Sequence, residues 1–421
     1  MKRIKLTTWI IIGLVLGIVV GEICRLEIVN PDDRNTVAGY FALITDLFLR
    51  LIKMIIAPLV MSTLIPGVTK MGNAKAVGRV GYRTLLWFLG ATFVSLVLGT
   101  LAADYFRPGA RMHLPLPAAH AAIGIHENSI SLKEFLTHLV PTSVFQAMAT
   151  NEILQIVIFS AFFSLAMIAV GGKAKETLQD IFEAVSVIMF KVTAYIMALA
   201  PFAVFGALAH VIILQGLHVL ISYGYFMGIF VGALLALWIV IIAAGSVVLG
   251  VPYTLRLVKA VREPMLLGFS TASGETAYPK LLEQLERSGV PLRISSFVLP
   301  LGYSFNLDGS MIYCSYAALF IAQAYGIHLS FMHQVTMLAI LMLTSKGMAA
   351  VPKASIVVIA ATLAQFNIPE EGLLLIMAVD TFLDMGRTAT NLLGNSIASA
   401  VVTKWEGELG TPETDLSLRE L

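Results

Sequence analysis

Asp380, Asp384, Arg387, Asn391 and Asn395 fall within DTFLDMGRTATNLLGN, between the apolar stretches EGLLLIMAV and SIASAVVTKW. Steps of four, three, four and four residues put all five on one helical face. Two carboxylates, a guanidinium and two amides on one stripe can hold an anion and cations together. A second group lies in FNLDGS, where Asn306 and Asp308 interrupt another apolar run. A carboxylate beside carbonyls freed by a helix break offers oxygen ligands to a hard cation; Asn, Asp, Gly and Ser also favour helix ends, so a capping role is open too. A third, STASG at 270–274, combines small residues with backbone amides suited to a carboxylate, or forms a tight turn.

Composition identifies the surroundings these groups must work in. The 421-residue chain is 58% hydrophobic and 13% charged, with mean hydropathy +0.85, which places it among integral membrane proteins. Its net charge of +2 gives no indication of nucleic acid. Cys24 and Cys314 lack metal-ligand spacing. No HExxH, GxSxG or P-loop occurs, so enzymatic chemistry has no support. In hydrocarbon, Asp380, Asp384 and Arg387 would each cost about 2.5 to 3.5 kcal/mol, some ~8 to 10 together. An internal Asp384–Arg387 salt bridge would satisfy two of them but leaves Asp380, Asn391 and Asn395 unexplained. A cavity that takes up an anion with cations accounts for the whole stripe. Arg387 alone would also suit a passive anion channel, although a channel needs no carboxylate-rich site.

Apolar runs long enough for a ~30 Å hydrocarbon core occur at about 7–27, 41–68, 80–105, 152–171, 185–213 and 219–250. The first follows MKRIK without a small-residue cleavage site, and reads as a retained helix. Lys70, Lys75, Arg79 and Arg83, then Lys173 and Lys175, then Arg256, Lys259 and Arg262 fall on the side of the N-terminus, which the charge rule makes cytoplasmic. The loops at 214–218 and 367–371 have no Lys or Arg. Beyond residue 256, EPMLLGFSTASGETAYPKLLEQL and MHQVTMLAILMLTSKGMAAVPKASIVVIAATLAQF each consist of two halves too short to cross, and read as re-entrant hairpins. A span interrupted at 306–309 follows the first, and the striped helix follows the second. A hairpin-then-span unit used twice from opposite sides is the inverted-repeat plan of secondary transporters. The fold expected is an all-α polytopic membrane protein with eight transmembrane helices and two re-entrant hairpins. The tail after Lys404 reads as disordered.

GFSTASGETAYP, GYSFNLDGS, SKGMAAVP and DMGRTATNLLGN together resemble the signature segments of the dicarboxylate/amino acid:cation symporter family, the glutamate transporter homologues. The likeness runs in order over nearly the whole chain. Members of that family share the inverted-repeat architecture. The resemblance implies a homotrimer embedded in lipid in the inner cell membrane, with an elevator mechanism. It assigns residues 1–78 to scaffold helices one and two, 79–110 to transport-domain helix three, and 111–218 to an external loop with scaffold helices four and five. Residues 219–405 complete the transport domain, and 406–421 form a cytoplasmic tail.

The resemblance further implies that Arg387 binds the side-chain carboxylate of an acidic amino acid and Asp384 its amino group. Asn391 and Ser273 would receive the α-carboxylate, with Ser310, Thr388 and Val351 closing the pocket. C4-dicarboxylate members carry a smaller uncharged residue where Asp384 stands, which favours aspartate or glutamate over a C4-dicarboxylate. Asn306, Asp308 and Asp380, with carbonyls of Gly302, Asn306, Asn391, Ser345, Lys346 and Met348, would surround the coupling cations. Asn395 stands where an aspartate is usual, and ASGE stands where three serines are common. Sodium and proton coupling therefore both remain open, with Asp308, Asp380 or Glu275 as the group that would titrate. No cofactor is implied beyond the coupling cation.

Overall fold

A computed structural model describes residues 6–72, 74–112, 116, 140–217, 223–344, 354–377 and 379–411. Among them there is no β-strand. The helices are α1 Leu6–Glu27, α2 Pro31–Lys70, α3 Ala74–Phe106, α4 Pro108–Arg111, α5 Val144–Ala149, α6 Ile153–Val170, α7 Gly172–Met197, α8 Ala200–Gln215, α9 Gly224–Leu249 and α10 Val251–Ala260. They continue as α11 Arg262–Thr271, α12 Gly274–Arg287, α13 Leu292–Phe305, α14 Asp308–Ala324, α15 Phe331–Thr344, α16 Ala354–Gln365, α17 Leu373–Met377 and α18 Asp380–Glu406. Five of these are long and apolar enough to cross a membrane alone, and six if α7 and α8 count as one bent span.

Three features depart from the sequence reading. The apolar run at 185–213 is not one straight helix: α7 and α8 meet at a 49° bend, where Pro201 occupies the first turn of α8 and has no N–H to extend the helix before it. The break in the seventh span is narrower than four residues. Only Asn306 and Leu307 leave the helix, while Asp308 and Gly309 already belong to α14. Residues 405–411 of the tail are packed and not disordered, and 412–421 lie outside the described residues. Glu406 takes ion pairs from Arg79 at 2.6 Å and Arg83 at 2.8 Å, Arg293 pairs with Glu408 at 2.6 Å, and Gly410 N–H donates to Gly289 O at 2.9 Å. These contacts tie the end of α18 to α3 and to the turn between α12 and α13, and spacing within the tail could not reveal them.

The helices pack in two groups. α1, α2, α6, α7 and α8 pack mainly on one another, and so do α3, α9, α11, α13, α14 and α18. Along the seam, α2 meets α12 and α13, while α8 meets α11. Close approach there depends on small residues: a Cβ on Gly67 of α2 would sit 2.9 Å from the Cα of Arg293. The two most enclosed elements are α14, buried from Asp308 to Ala322, and α18, buried from Arg387 to Thr403. Both are too polar to serve as ordinary core helices, and they pack directly against each other.

Candidate substrate and cation site

At the first turns of α18 the polar stripe folds back on itself. Arg387 Nη2 lies 3.1 Å from Asp380 Oδ1 and 2.8 Å from Asp384 Oδ1, and its Nε donates to the same Asp384 oxygen at 3.2 Å. An internal salt bridge therefore forms and includes both carboxylates, so Asp380 is not left over as the spacing alone suggested. The bridge does not satisfy the guanidinium. Nη1 is buried without a hydrogen-bond partner, and Nη2 sits at ion-pair distance without hydrogen-bond alignment. Arg387 is 1% exposed while Asp384 keeps 25% of its side chain accessible. Beneath the guanidinium lies Tyr313 of α14, its ring centroid 4.0 Å from Cζ. A cation over an aromatic face gains about 2 kcal/mol when both are desolvated, and the stack fixes the plane in which the free N–H groups point.

One turn further, the stripe meets the break between α13 and α14. Asn391 Oδ1 accepts from Gly309 N–H at 2.8 Å, and its Nδ2 reaches Ser310 Oγ at 3.4 Å. The cap at this half-helix is thus supplied by Asn391 from α18. Asp308 is not the N-cap, which is Leu307, with no side-chain cap bond. Instead Asn306 Nδ2 bridges Asp308 Oδ2 at 3.1 Å and Asn395 Oδ1 at 3.0 Å. Asn306 Oδ1 and Asn395 Nδ2 remain buried without partners. Gly302 O accepts the Asn306 N–H at 2.9 Å.

Two glycines allow this convergence. A Cβ on Gly394 would run into Asp308 Oδ2, and one on Gly302 would run into the Asn395 side chain, reaching its Cγ at 2.7 Å. The cation-site residues expected from the sequence, Asn306, Asp308, Asn395 and Gly302, are therefore brought together, with Asn391 alongside. Asp380 is held apart on Arg387. Among the described residues no three His, Cys, Asp or Glu side chains converge. A hard cation here would draw on one carboxylate with amide and backbone oxygens.

The first hairpin closes over the stripe. α11 and α12, 10 and 14 residues long, are joined by Ala272 in the left-handed conformation at φ 48° and by the extended Ser273. Gly268 of α11 packs against Thr388 and Leu392 of α18, a Cβ there lying 3.2 Å from Thr388 Cγ2. Thr388 of α18 thus meets α11 at Gly268, where the Ser273 carbonyl also lies, and Ser310 of α14 accepts from Asn391 on the stripe. Val351, Ser345, Lys346 and Met348 lie outside the described residues. Sequence reasoning missed Tyr313, although a tyrosine one helical turn beyond Gly309 in an otherwise apolar run signals a buried polar neighbour. It also missed Trp238 of α9, whose Nε1 donates to Thr390 Oγ1 at 2.8 Å and fixes the rotation of α18.

The sequence profile of the sodium:dicarboxylate symporter family matches residues 6–405. The chain is similar to a proton/sodium-glutamate symport protein of Bacillus subtilis, 42% identical over 414 residues that span 97% of this chain and 94% of that one. It is likewise similar to a proton/glutamate-aspartate symporter of Escherichia coli, at 38% over 416 residues, covering 96% and 94% of the two chains. A C4-dicarboxylate transport protein of Anaeromyxobacter shares 38% over 370 residues, covering 86% and 83%.

Proposed function

Because the chain belongs to the sodium:dicarboxylate symporter family, we propose that it carries an acidic amino acid, aspartate or glutamate, across the cytoplasmic membrane together with cations. The observation that carries this reading is Arg387, buried, stacked on Tyr313 and left with unpartnered N–H groups one helical turn before Asn391 on α18. A side-chain carboxylate suits those donors, because planar guanidinium N–H groups match carboxylate geometry. Asp384, the accessible carboxylate of the triad, suits the amino group. The Asn391 amide and the Ser273 turn then face the α-carboxylate.

Charge accounts for the coupling. Asp308, Asp380 and Asp384 against Arg387 leave two net negative charges in the cluster, and an acidic amino acid adds a third. Like charges about 4 Å apart repel by about 4 kcal/mol even at an effective dielectric constant near 20. Cations are therefore required for binding: one suits the Asn306, Asp308 and Asn395 cradle, where Asn306 Oδ1 is an unpartnered acceptor, and another suits the neighbourhood of Asp380. The pairing of Arg387 with Asp380 and Asp384 reduces the net charge of the cluster, which lowers the cost of moving it.

The wider arrangement follows the same reading. The group of α1, α2, α6, α7 and α8 is the scaffold through which three copies associate. The group containing α3, α9, α11 to α14 and α18 moves past it, with the N-terminus on the cytoplasmic side. Uptake of labelled aspartate into proteoliposomes, with succinate as competitor, tests the substrate. Aspartate accumulation that succinate inhibits weakly is expected. Strong succinate transport without aspartate transport would establish the C4-dicarboxylate reading, which the Anaeromyxobacter relative favours.

A further inference from the structure

The geometry points to Glu275, in the first turn of α12 at the tip of the first hairpin, as the group that carries a coupled proton. This inference rests on the symport reading. Three carboxylates are candidates from the sequence, and the structure separates them. Asp380 is paired with Arg387 at 3.1 Å, and Asp308 accepts from Asn306 at 3.1 Å within the cation cradle. Glu275 has neither an ion pair nor a hydrogen bond among the described residues, although it is partly buried and its helix packs against α13 and α2.

Its surroundings are polar without being charged, save in one direction. Tyr303 of α13 lies within electrostatic reach of both Glu275 and Tyr278 of α12. The two rings are 5.7 Å apart, edge to face, and the Tyr303 hydroxyl is buried without a hydrogen-bond partner. A phenol hydroxyl donates to a carboxylate and accepts from a carboxylic acid, so it can accompany Glu275 in either protonation state. From α2, Lys53 acts on Glu275 electrostatically without reaching ion-pair distance. No ion pair links it to α10, α11, α13 or α18 among the described residues. Lys53 belongs to the other helix group. On the proposed movement of one helix group past the other, the hairpin slides along α2 and the carboxylate moves relative to a stationary cation, which is what a group needs if it is to load on one side and unload on the other.

The step is simple in its balance. A Glu275 carboxylate oxygen takes a proton from external water and returns it to cytoplasmic water, and no other bond changes. Full-length wild type and Glu275→Gln are reconstituted with a pH dye inside the vesicles. Aspartate uptake is followed with sodium and proton gradients imposed separately, and the apparent KM is measured across about pH 5 to 8, the range in which perturbed carboxylates and histidines change charge. Wild type is expected to take up protons with aspartate. In Glu275→Gln, aspartate-dependent proton uptake falls at least about tenfold and the pH profile of KM flattens, while sodium-dependent aspartate binding persists. Glu275→Asp restores proton uptake with a displaced pH profile, and Tyr303→Phe, which leaves the carboxylate in place, displaces the profile without abolishing the flux. Proton uptake in Glu275→Gln at the wild-type ratio would overturn the inference. So would a wild type that accumulates aspartate on sodium alone without moving protons, an outcome that leaves the symport reading intact. If wild type accumulates aspartate under neither gradient, the symport reading fails and the inference falls with it.

Discussion

The two halves of the stripe on α18 satisfy their polar groups by different means. In the first two turns, Asp380, Asp384 and Arg387 answer charge with charge inside one helix, and the guanidinium is left with unpartnered N–H groups. In the next two turns, Asn391 and Asn395 reach across to the break between α13 and α14, and the bonds there are amide to amide, amide to backbone and amide to a single carboxylate. The first half is suited to an exchange in which an incoming carboxylate and amine take over ionic partners. The second is suited to a small cation, because close approach depends on Gly302 and Gly394 and not on a surplus of charge. One helix face thus holds a charge-matched half and a shape-matched half.

Breaking the first half should have the largest effect. Arg387→Cys leaves Asp380 and Asp384 facing each other with no cation; removing one partner of a buried pair costs about 3 to 5 kcal/mol. Acidic amino acid uptake is expected to fall at least about 100-fold, with small neutral amino acids becoming competitors in a labelled-uptake assay. Unchanged aspartate uptake would remove Arg387 from the site.

Gly394→Ala tests the second half with no change of charge. Its Cβ meets the Asp308 carboxylate, and overpacking of this kind costs about 1 to 3 kcal/mol. The apparent affinity for sodium is expected to drop about tenfold, read from the sodium dependence of aspartate binding. Alanine is the better helix former by about 1 kcal/mol. A variant that is more thermostable and keeps its sodium response would therefore show that the close approach does not matter.

Asn395→Asp sharpens the same comparison from the other side. A second carboxylate beside Asp308 converts the cradle from shape-matched to charge-matched, and sodium dependence should strengthen by several-fold, since hard cations respond to ligand charge. No change in the sodium response would mean that Asn395 is not near the ion. The smallest effect belongs to the joint between the halves. Trp238→Phe removes the bond to Thr390 and should lower thermal stability by about 1 kcal/mol, with little change in either affinity.

The sequence made the stripe legible because helical periodicity decides which residues share a face, and Asp380 to Asn395 do share one. It also located the break near Asn306, because Asn and Asp in an apolar run compete with helix. It could not show that Arg387 engages both carboxylates, since spacing limits reach without choosing a rotamer. Nor could it show that Asn306 bridges Asp308 and Asn395, because that bond joins elements 89 residues apart. The bend before Pro201 and the packed residues after Lys404 escaped for a related reason. In both cases an apolar or polar run was read for its average character, while one proline or a few ion pairs to distant helices decided the outcome.

The central claim is that the buried charges of α18 are completed by an acidic amino acid and its cations together. Its most direct test is equilibrium binding of aspartate to the purified protein, titrated with and without sodium at two proton concentrations. The account predicts tight binding only when sodium or protons are supplied, and almost none to Arg387→Cys under any condition. Aspartate binding of equal strength without sodium at the lower proton concentration, or no binding with sodium at the higher one, would contradict it.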